Sequence, residues 1–529
     1  MQEKFSSALI LLLSGVSVFF FATSGFAQSK EQSLRIAITG DSNCFAKVVE
    51  SLPIHMIPDA RARRLQREQL SILTSYQRTS QLDSSLQSLQ LTVESSFSSI
   101  PWVVVRGTPS ALNALQKSYP TLTLHELQNI APQKVITRNK RSTENSLLHS
   151  SWEYGAAAGQ LDALGILTVQ QEEGYTGSDV TIGVLDDGFE LSHQSLTKLR
   201  IGAQRDFVIG RKYKNIEGFH GTSVLSVMAA CDPGRMIGGA PNATYLLAQV
   251  FDERNSINDD EASWAAAVEW CEQMGADVIH SSLSFESSTG NALGHTLAHA
   301  AAEEARRRGV LLVGAAGNEG EALRSITAPG SFRSVLAVGA TDSSGRGEAF
   351  SGHGPTFDGF AKPEFAAPGV NILVAKPGTR NQYERSDGTS FAAPLLTSAI
   401  AILWEAHPDW SADQLENALY DAAEFADTPN PVTGMGRVWL PDALDYPFVR
   451  GRISASLSEK VNTVRVMLIP WGHQHQLWNG YSEVCDLNGE FSFTGVEDGV
   501  YLLWIQTGVK LSVQRIEVPP SQAIDVIVK

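Results

Sequence analysis

The sequence predicts an α/β protein on a doubly wound, mostly parallel sheet, with a smaller α+β unit before it and a β-sandwich after it. Three observations predict this. Between residues 151 and 446, short apolar runs alternate with helical stretches: VTIGVLD (180–186), ATYLLAQVF (243–251), DVIHSSL (277–283), GVLLVGAAG (309–317) and SVLAVGAT (334–341). Strands that are apolar along their whole length are covered on both faces, as in a parallel sheet between two helix layers. Residues 28–130 mix strand and helix patterns, and residues 450–529 carry period-two strands with turn signals. At 529 residues the chain exceeds one ordinary domain, so several units are expected.

Along the chain, MQEKFSSALILLLSGVSVFFFATSGFAQS comes first, with Lys4 ahead of an apolar core from Ala8 to Phe21. Gly25 and Ala27 supply small residues at the −3 and −1 positions of a cut, so residues 1–27 read as a secretory signal peptide. The apolar core is shorter than the roughly 20 residues that span a bilayer, which argues against a membrane anchor. A secreted, periplasmic or cell-envelope location follows, with no transmembrane segment once the signal is removed.

Within residues 28–130, LRIAITG, WVVVRG and LTLHEL read as strands, PSALNALQKSY as a helix, and DARARRLQREQLSILTSYQ (59–77) as one long charged helix. Residues 131–150, APQKVITRNKRSTENSLLHS, are polar and basic, with Lys134, Arg138, Lys140 and Arg141, and read as an exposed linker open to cleavage. The C-terminal strands are GRISASL, TVRVMLIPW, GEFSFTG, GVYLLWIQT, SVQRIEV and AIDVIVK, a pattern of small sandwiches.

A formal net charge of −16 argues against nucleic acid as a partner, because phosphate backbones need clustered cations. Cys44, Cys231, Cys271 and Cys485 are widely spaced and form no CxxC pair. Any disulfide is therefore an accessory whose pairing is not readable, and a zinc or redox site is not indicated.

The chemistry gathers at strand ends. SDGTSFAAP (386–394) leads into LLTSAIAILWEAH, apolar nearly all round and so a buried helix, with Ser390 at its start. Such a serine is either a plain helix cap or a nucleophile whose own N–H, at the positive helix end, helps hold an oxyanion. VTIGVLDDG stops in Asp186-Asp187-Gly188, GFHGTSV places His220 at the mouth of an apolar helix, and GAAGNEG sets Asn318 on a glycine-flanked turn. Each alone has an ordinary reading as a cap, a hydrogen-bonded histidine or a turn.

Together, LDDGF, HGTSV, GAAGNEG and GTSFAAP, in that order, resemble the motif blocks of the subtilisin-like serine protease family, and IGGAPNATYLLAQV, ADVIHSSL and KPEFAAPG also look familial. The order Asp, His, Ser is the subtilisin order itself and serves here as a matched pattern. The resemblance covers residues 151–446 and implies a serine endopeptidase acting on polypeptides through an acyl-enzyme, with no cofactor required for the chemistry. It implies Ser390 as nucleophile, His220 as general base and acid, Asp186 as orienting acid, and Asn318 with the Ser390 N–H as oxyanion donors. Asp187 competes for the acid role, but the family motif favours the first carboxylate, leaving Asp187 as a turn residue. His193 is read as structural, and Ser223 stands where relatives often carry a second histidine.

Ser282, Leu283, Ser284 and Phe285, with Gly317, are implied to bind substrate. The family usually has glycines where Ser284 and Phe285 stand, so the pocket wall should be narrowed or reshaped. Calcium is common in the family, and FDERNSINDDEASW offers Asp252, Glu253, Asp259, Asp260 and Glu261, although their spacing matches no defined loop. His473 and His475 read as a surface turn. Residues 28–130 resemble the pro-domains that assist folding and then inhibit these proteases, which implies a zymogen cut within 131–150. Residues 450–529 resemble transthyretin-like, carboxypeptidase-regulatory modules. The competing readings are a catalytically silent binding scaffold and an esterase; the GxSxG elbow of α/β-hydrolases is absent.

Overall fold

The computed structural model describes residues 11–13, 16–18, 34–51, 60–68, 70, 72–127, 129–132, 153–208, 219–251, 261–286, 296–426, 428–446, 448–453, 464–470, 481–484, 490–494, 499–507, 510–518 and 524–528. The central sheet has strands β1 (Thr181–Asp186), β2 (Arg200–Asp206), β3 (Thr244–Gln249), β4 (Val278–Ser281), β5 (Leu311–Ala315), β6 (Val335–Thr341) and β7 (Phe365–Pro368). Their spatial order is β2-β3-β1-β4-β5-β6-β7, parallel throughout. The five predicted runs are β1, β3, β4, β5 and β6. The two strands beyond them are the sheet's edges. β2 is mostly exposed and carries Arg200, Arg205 and Asp206, and β7 is short and ends in Pro368. Charge and proline are what an edge tolerates, and they hide a strand from an apolar-run reading.

Helices α1 (Phe219–Ala229), α2 (Glu261–Gln273), α3 (Leu297–Arg307) and α4 (Thr389–Ala406) cover both faces. Side chains alternate along a strand. Ile182 and Val184 accordingly join Val224 and Met228 of α1 and Leu395 and Ile400 of α4 on one face. Leu185, Leu246 and Leu312 join Trp264, Val268 and Ala301 of α2 and α3 on the other. α4 is long and apolar enough to cross a membrane by composition, yet 89% of it is buried, so it is the core helix.

The N-terminal unit is a four-stranded antiparallel sheet in the order Thr92–Ser96, Trp102–Gly107, Leu34–Thr39, Thr123–Glu126. One face carries helices Ser80–Ser88 and Pro109–Ser118 through Leu82, Leu86, Leu112 and Leu115. From the other face, Ala37, Trp102 and Val104 pack into the cluster of α2 and α3. Glu269 of α2 accepts the backbone N–H groups of Ser98 and Ser99 at 2.8 and 2.7 Å.

Two sequence expectations are corrected here. The long helix over 59–77 is broken: Ala60–Arg67 is helical, but Ile72–Arg78 pairs antiparallel with Phe45–Ser51. Ile72, Thr74 and Tyr76 alternate as β-formers, and an available partner strand outweighs helix propensity there. The linker expected from residue 131 begins later, because Asn129–Pro132 is a strand paired antiparallel with Leu283–Glu286. The remainder, 133–150, lies outside the described residues. Within the expected signal, Leu11–Leu13 pairs with Val16–Val18.

The C-terminal strands form a three-stranded and a four-stranded sheet, including Tyr481–Val484, which the sequence reading did not anticipate. Phe493, Tyr501, Leu503 and Ile505 are buried there. Cys44, Cys231 and Cys271 are unpaired, while Cys485 lies outside the described residues.

Behind β6, Lys362 and Glu364 form a buried pair at 2.6 Å. The ammonium also donates to the Val335 carbonyl, and the carboxylate accepts the Ala337 N–H at 2.8 Å. Burial lowers the Lys362 pKa and raises that of Glu364, while each opposes the shift of the other. Such a pair is stable as a unit. Lys362→Met alone should cost about 3–5 kcal/mol in urea denaturation, and replacing both residues by apolar ones should recover most of it.

Candidate active site

The strand order reverses between β1 and β4, which opens a crevice at their carboxyl ends, where ligands bind in open α/β sheets. Asp186 is the last residue of β1, Ser282 follows β4, and Asn318 lies just beyond β5. The fold thus delivers the predicted residues to one rim.

Asp186 is fully buried, and its Oδ1 lies 2.7 Å from His220 Nδ1 while accepting the Asp187 N–H at 2.8 Å. His220 is the second residue of α1. Asp187 is more than a turn residue. Its carboxylate accepts the N–H groups of His220 at 3.1 Å and Gly221 at 2.8 Å, which have no partner within the first helical turn. Burial, and then the neighbouring Asp186 charge, pushes its pKa up to about 7; His220 and the two amides pull it down. Gly221 permits the approach. A Cβ there would sit 2.3 Å from the Gly188 carbonyl oxygen and 2.8 Å from Asp186 Cβ.

Ser390 is the second residue of α4 and is buried. The helix is entered through Gly388 at φ 150° and ψ 153°, a conformation that only glycine adopts without strain. The ring of Phe391, the next residue, stands 6.1 Å from the His220 ring, so the imidazole lies beside this first turn. Asn318 Oδ1 accepts both the backbone N–H and the hydroxyl of Thr389, at 3.0 and 2.9 Å. Two donors on one atom identify it as the oxygen and turn the amide nitrogen toward Gly388.

Pro394 stands at the sixth helical position. Lacking an N–H, it leaves the Ser390 carbonyl without its ladder partner. Ser282 Oγ donates to that carbonyl instead, at 2.9 Å. Ser282 Oγ is also 2.9 Å from His280 Nε2, His280 Nδ1 is 2.9 Å from Thr397 Oγ1, and Thr397 Oγ1 is 3.0 Å from the Ala393 carbonyl. Burial pushes the His280 pKa down to about 3, with Asp186 pulling the other way, so the ring is neutral.

Two hydroxyls and a neutral imidazole carry three protons for these four contacts. With the Ser282 proton on the Ser390 carbonyl, the contact to His280 Nε2 takes the imidazole proton, and Thr397 faces the unprotonated Nδ1. His280 then carries its proton on Nε2 and backs Ser282. Sequence reasoning missed this residue. The available signal was a histidine inside an apolar strand, two residues before Ser282 and so on the same face.

Beyond Ser282, whose carbonyl is 3.4 Å from Ser390 Oγ, Leu283–Glu286 forms the edge paired with Asn129–Pro132, with Ser284 opposite Ala131 and Phe285 opposite Ile130. The Gly317 N–H donates to Thr389 Oγ1 at 3.3 Å, at the α4 start. His193 is buried against Ser195 Oγ and the Gln382 carbonyl, and Ser223 against the Ala375 carbonyl. Of the acidic candidates for calcium, Asp252, Glu253, Asp259 and Asp260 lie outside the described residues, as do His473 and His475. Glu261 accepts the Ala298 N–H at 3.3 Å. Among the described residues no cluster of three or more His, Cys, Asp or Glu could hold a metal.

An acid-held imidazole and a serine at a helix start, on the carboxyl rim of a doubly wound sheet, are the parts from which a serine hydrolase site is built. Residues 177–437 match the subtilase family, Peptidase_S8. The chain is 34% identical over 256 residues to subtilisin DY of Bacillus licheniformis, covering 48% of this chain and 86% of that one. It is 33% identical over 258 residues to subtilisin E of Bacillus subtilis (strain 168), covering 48% of this chain and 62% of that relative's length. The crystal structure of fervidolysin from Fervidobacterium pennivorans, a keratinolytic enzyme related to subtilisin, shares the fold at a TM-score of 0.57 and 18% identity, over 95% of this chain and 79% of that one. The chain belongs to the subtilase family and is a serine endopeptidase of the subtilisin type.

Asp187 generates a pH prediction. Its folded pKa, about 7, exceeds the unfolded value of roughly 3.9, so the folded state holds its proton more tightly. The stability this group contributes is complete below the unfolded pKa and is lost as pH rises through about 7. Asp187→Asn should flatten the fall in melting temperature between about pH 4 and 7 relative to the parent protein, as calorimetry would read. An unchanged slope would show that the carboxyl titrates normally.

Proposed function

We propose that this chain is an exported, self-processing endopeptidase in which Asp186, His220 and Ser390 are the catalytic triad. The observation that carries the reading is the 2.7 Å bond from buried Asp186 to His220 Nδ1, on the same rim as the Ser390 helix start. Ser390 Oγ attacks the scissile carbonyl carbon, and His220 takes its proton and returns it to the leaving amine. Asp186 holds the tautomer with the proton on Nδ1 and stabilises the imidazolium. The Asn318 amide and the Ser390 N–H receive the oxyanion, and the positive end of α4 adds to them. Water then hydrolyses the ester on Ser390.

In this reading Ser282, Leu283, Ser284, Phe285 and Gly317 line the path of an extended polypeptide, which adds to the strand edge through its backbone. The pairing of Asn129–Pro132 with that edge supports residues 28–130 as an intramolecular inhibitor laid along its own cleft. The cut then falls in the basic linker beyond Pro132. Residues 1–27 act as the export signal, and the C-terminal strands form an accessory β-sandwich over 450–529.

A fluorophosphonate probe on the processed protein should label Ser390, and absence of the adduct would overturn the assignment. Ser390→Ala should accumulate as a full-length precursor; normal processing of that variant would show that another protease trims the linker. Asn318→Ala should lower kcat by roughly 10²- to 10³-fold with little change in KM, the loss known for subtilisin's own oxyanion donor.

A further inference from the structure

α2 and α3 both end at the amino-terminal end of the sheet, just before β4 and β5, and so opposite Ser390. Helix C-termini expose unpaired carbonyls and the negative end of the helix dipole, and two of them converge here. Into that convergence the helix Ala60–Arg67 of the N-terminal unit inserts one side chain. Arg64 is fully buried. Its Nε donates to the Arg308 carbonyl at 3.1 Å, its Nη1 to the Ala276 carbonyl, and its Nη2 to the Glu272 carbonyl at 3.3 Å and to Glu272 Oε1 at 2.6 Å. A buried guanidinium is thus met by three carbonyls and a carboxylate, all from the peptidase unit, with planar donors matched to planar acceptors.

Neighbouring contacts align the same helix. Arg61 Nε reaches Glu272 Oε1 at 3.1 Å, and Arg67 Nη2 reaches Asp277 Oδ1 at 3.0 Å with its guanidinium 4.2 Å over the Trp404 ring. Glu68 accepts the Ala412 N–H at 2.7 Å. In return, Arg308 Nη2 donates to the Thr74 carbonyl at 2.9 Å. None of these groups belongs to the catalytic rim.

We infer that the Glu272, Ala276 and Arg308 cage is a guanidinium-binding exosite that keeps the N-terminal unit bound, as a latent inhibitor, after its link to the peptidase unit has been cut. The inference rests on the zymogen reading above and adds where the inhibitor is retained. Cutting the chain at the catalytic rim frees only one end. Release then requires a charged group buried among fixed carbonyls to leave its cage, and truncating one partner of such a contact acts on the dissociation rate.

The test uses the full chain, allowed to process itself. Parent protein, Arg64→Ala, Arg64→Lys, Glu272→Ala and the Arg64→Ala/Glu272→Ala double variant are compared by co-elution of the cut N-terminal unit and by the rate at which peptidase activity appears on dilution. Arg64→Ala should release the unit roughly 30-fold faster or more. Arg64→Lys, which keeps the charge but not the fork, should lie nearer to Ala than to the parent. The double variant should be far from additive, because Arg64 and Glu272 share a contact that either single change already breaks. Methylguanidinium at millimolar concentration should speed release of the parent and leave Arg64→Ala unaffected.

Additive effects of the two changes, or equal release rates for parent and Arg64→Ala, would overturn the exosite. A chain that never processes itself, or that is processed equally well as Ser390→Ala, would instead sink the zymogen reading. The two failures are therefore distinguishable.

Discussion

The constraint on which the site depends is the contact between the end of β1 and the first turn of α1. Gly221 lies so near the loop after Asp186 that the space for a side chain is already taken by Gly188 and by Asp186 itself. That closeness fixes the imidazole against the acid at 2.7 Å. It also buries the amide donors at the start of α1 away from water, where unpaired polar groups are costly. The second carboxylate of LDDG, from Asp187, answers that cost by accepting two of them. Two adjacent acids therefore perform different tasks, one toward the ring and one toward the backbone that carries it, and the second holds its proton up to about pH 7 because it is buried beside the first.

A comparable chain of consequences runs through α4. A proline at the sixth position removes one ladder bond, and the carbonyl left behind belongs to Ser390. Ser282 supplies the missing proton, and His280, too deeply buried to be charged, must carry its own proton toward Ser282 for that to hold. The serine backbone and the strand that begins the substrate edge are thereby tied together. The proline in this helix thus decides which carbonyl needs an outside donor.

These particulars show what could be read from sequence and what could not. Asp186, His220, Asn318 and Ser390 were legible because each sits in a short motif whose neighbours are also constrained: glycine at 188, 221, 317 and 388, proline at 394. The core strands were legible from their apolar runs. The edge strands β2 and β7 were not, since exposure and proline give them the look of loops. The break in the helix after Arg67 depends on Phe45–Ser51, a partner distant in sequence, which no local window contains. Asp187 and His280 were visible as residues but not as roles, because their roles lie in partners: two amides on the next helix for one, two hydroxyls on different elements for the other.

The direction of the helices unites the two ends of the peptidase unit. In a doubly wound parallel sheet every covering helix runs antiparallel to its strands, so all helix N-termini share one rim and all C-termini the other. The N-terminal rim favours electronegative acceptors: there α1 donates to the carboxyl oxygens of Asp187, and α4 begins at the serine beside which an oxyanion would form. The C-terminal rim favours positive charge, and there α2 and α3 receive the Arg64 guanidinium. A folded segment that must block the first rim without being consumed there is best held at the second, where the same dipoles attract the opposite charge. The N-terminal unit spans both, with Asn129–Pro132 at one rim, Arg64 at the other and its sheet packed on α2 and α3 between them. In the proposed zymogen, severing the first contact would leave the remaining two acting within one body, so their effective concentration would stay high and dissociation would be governed by the buried charge.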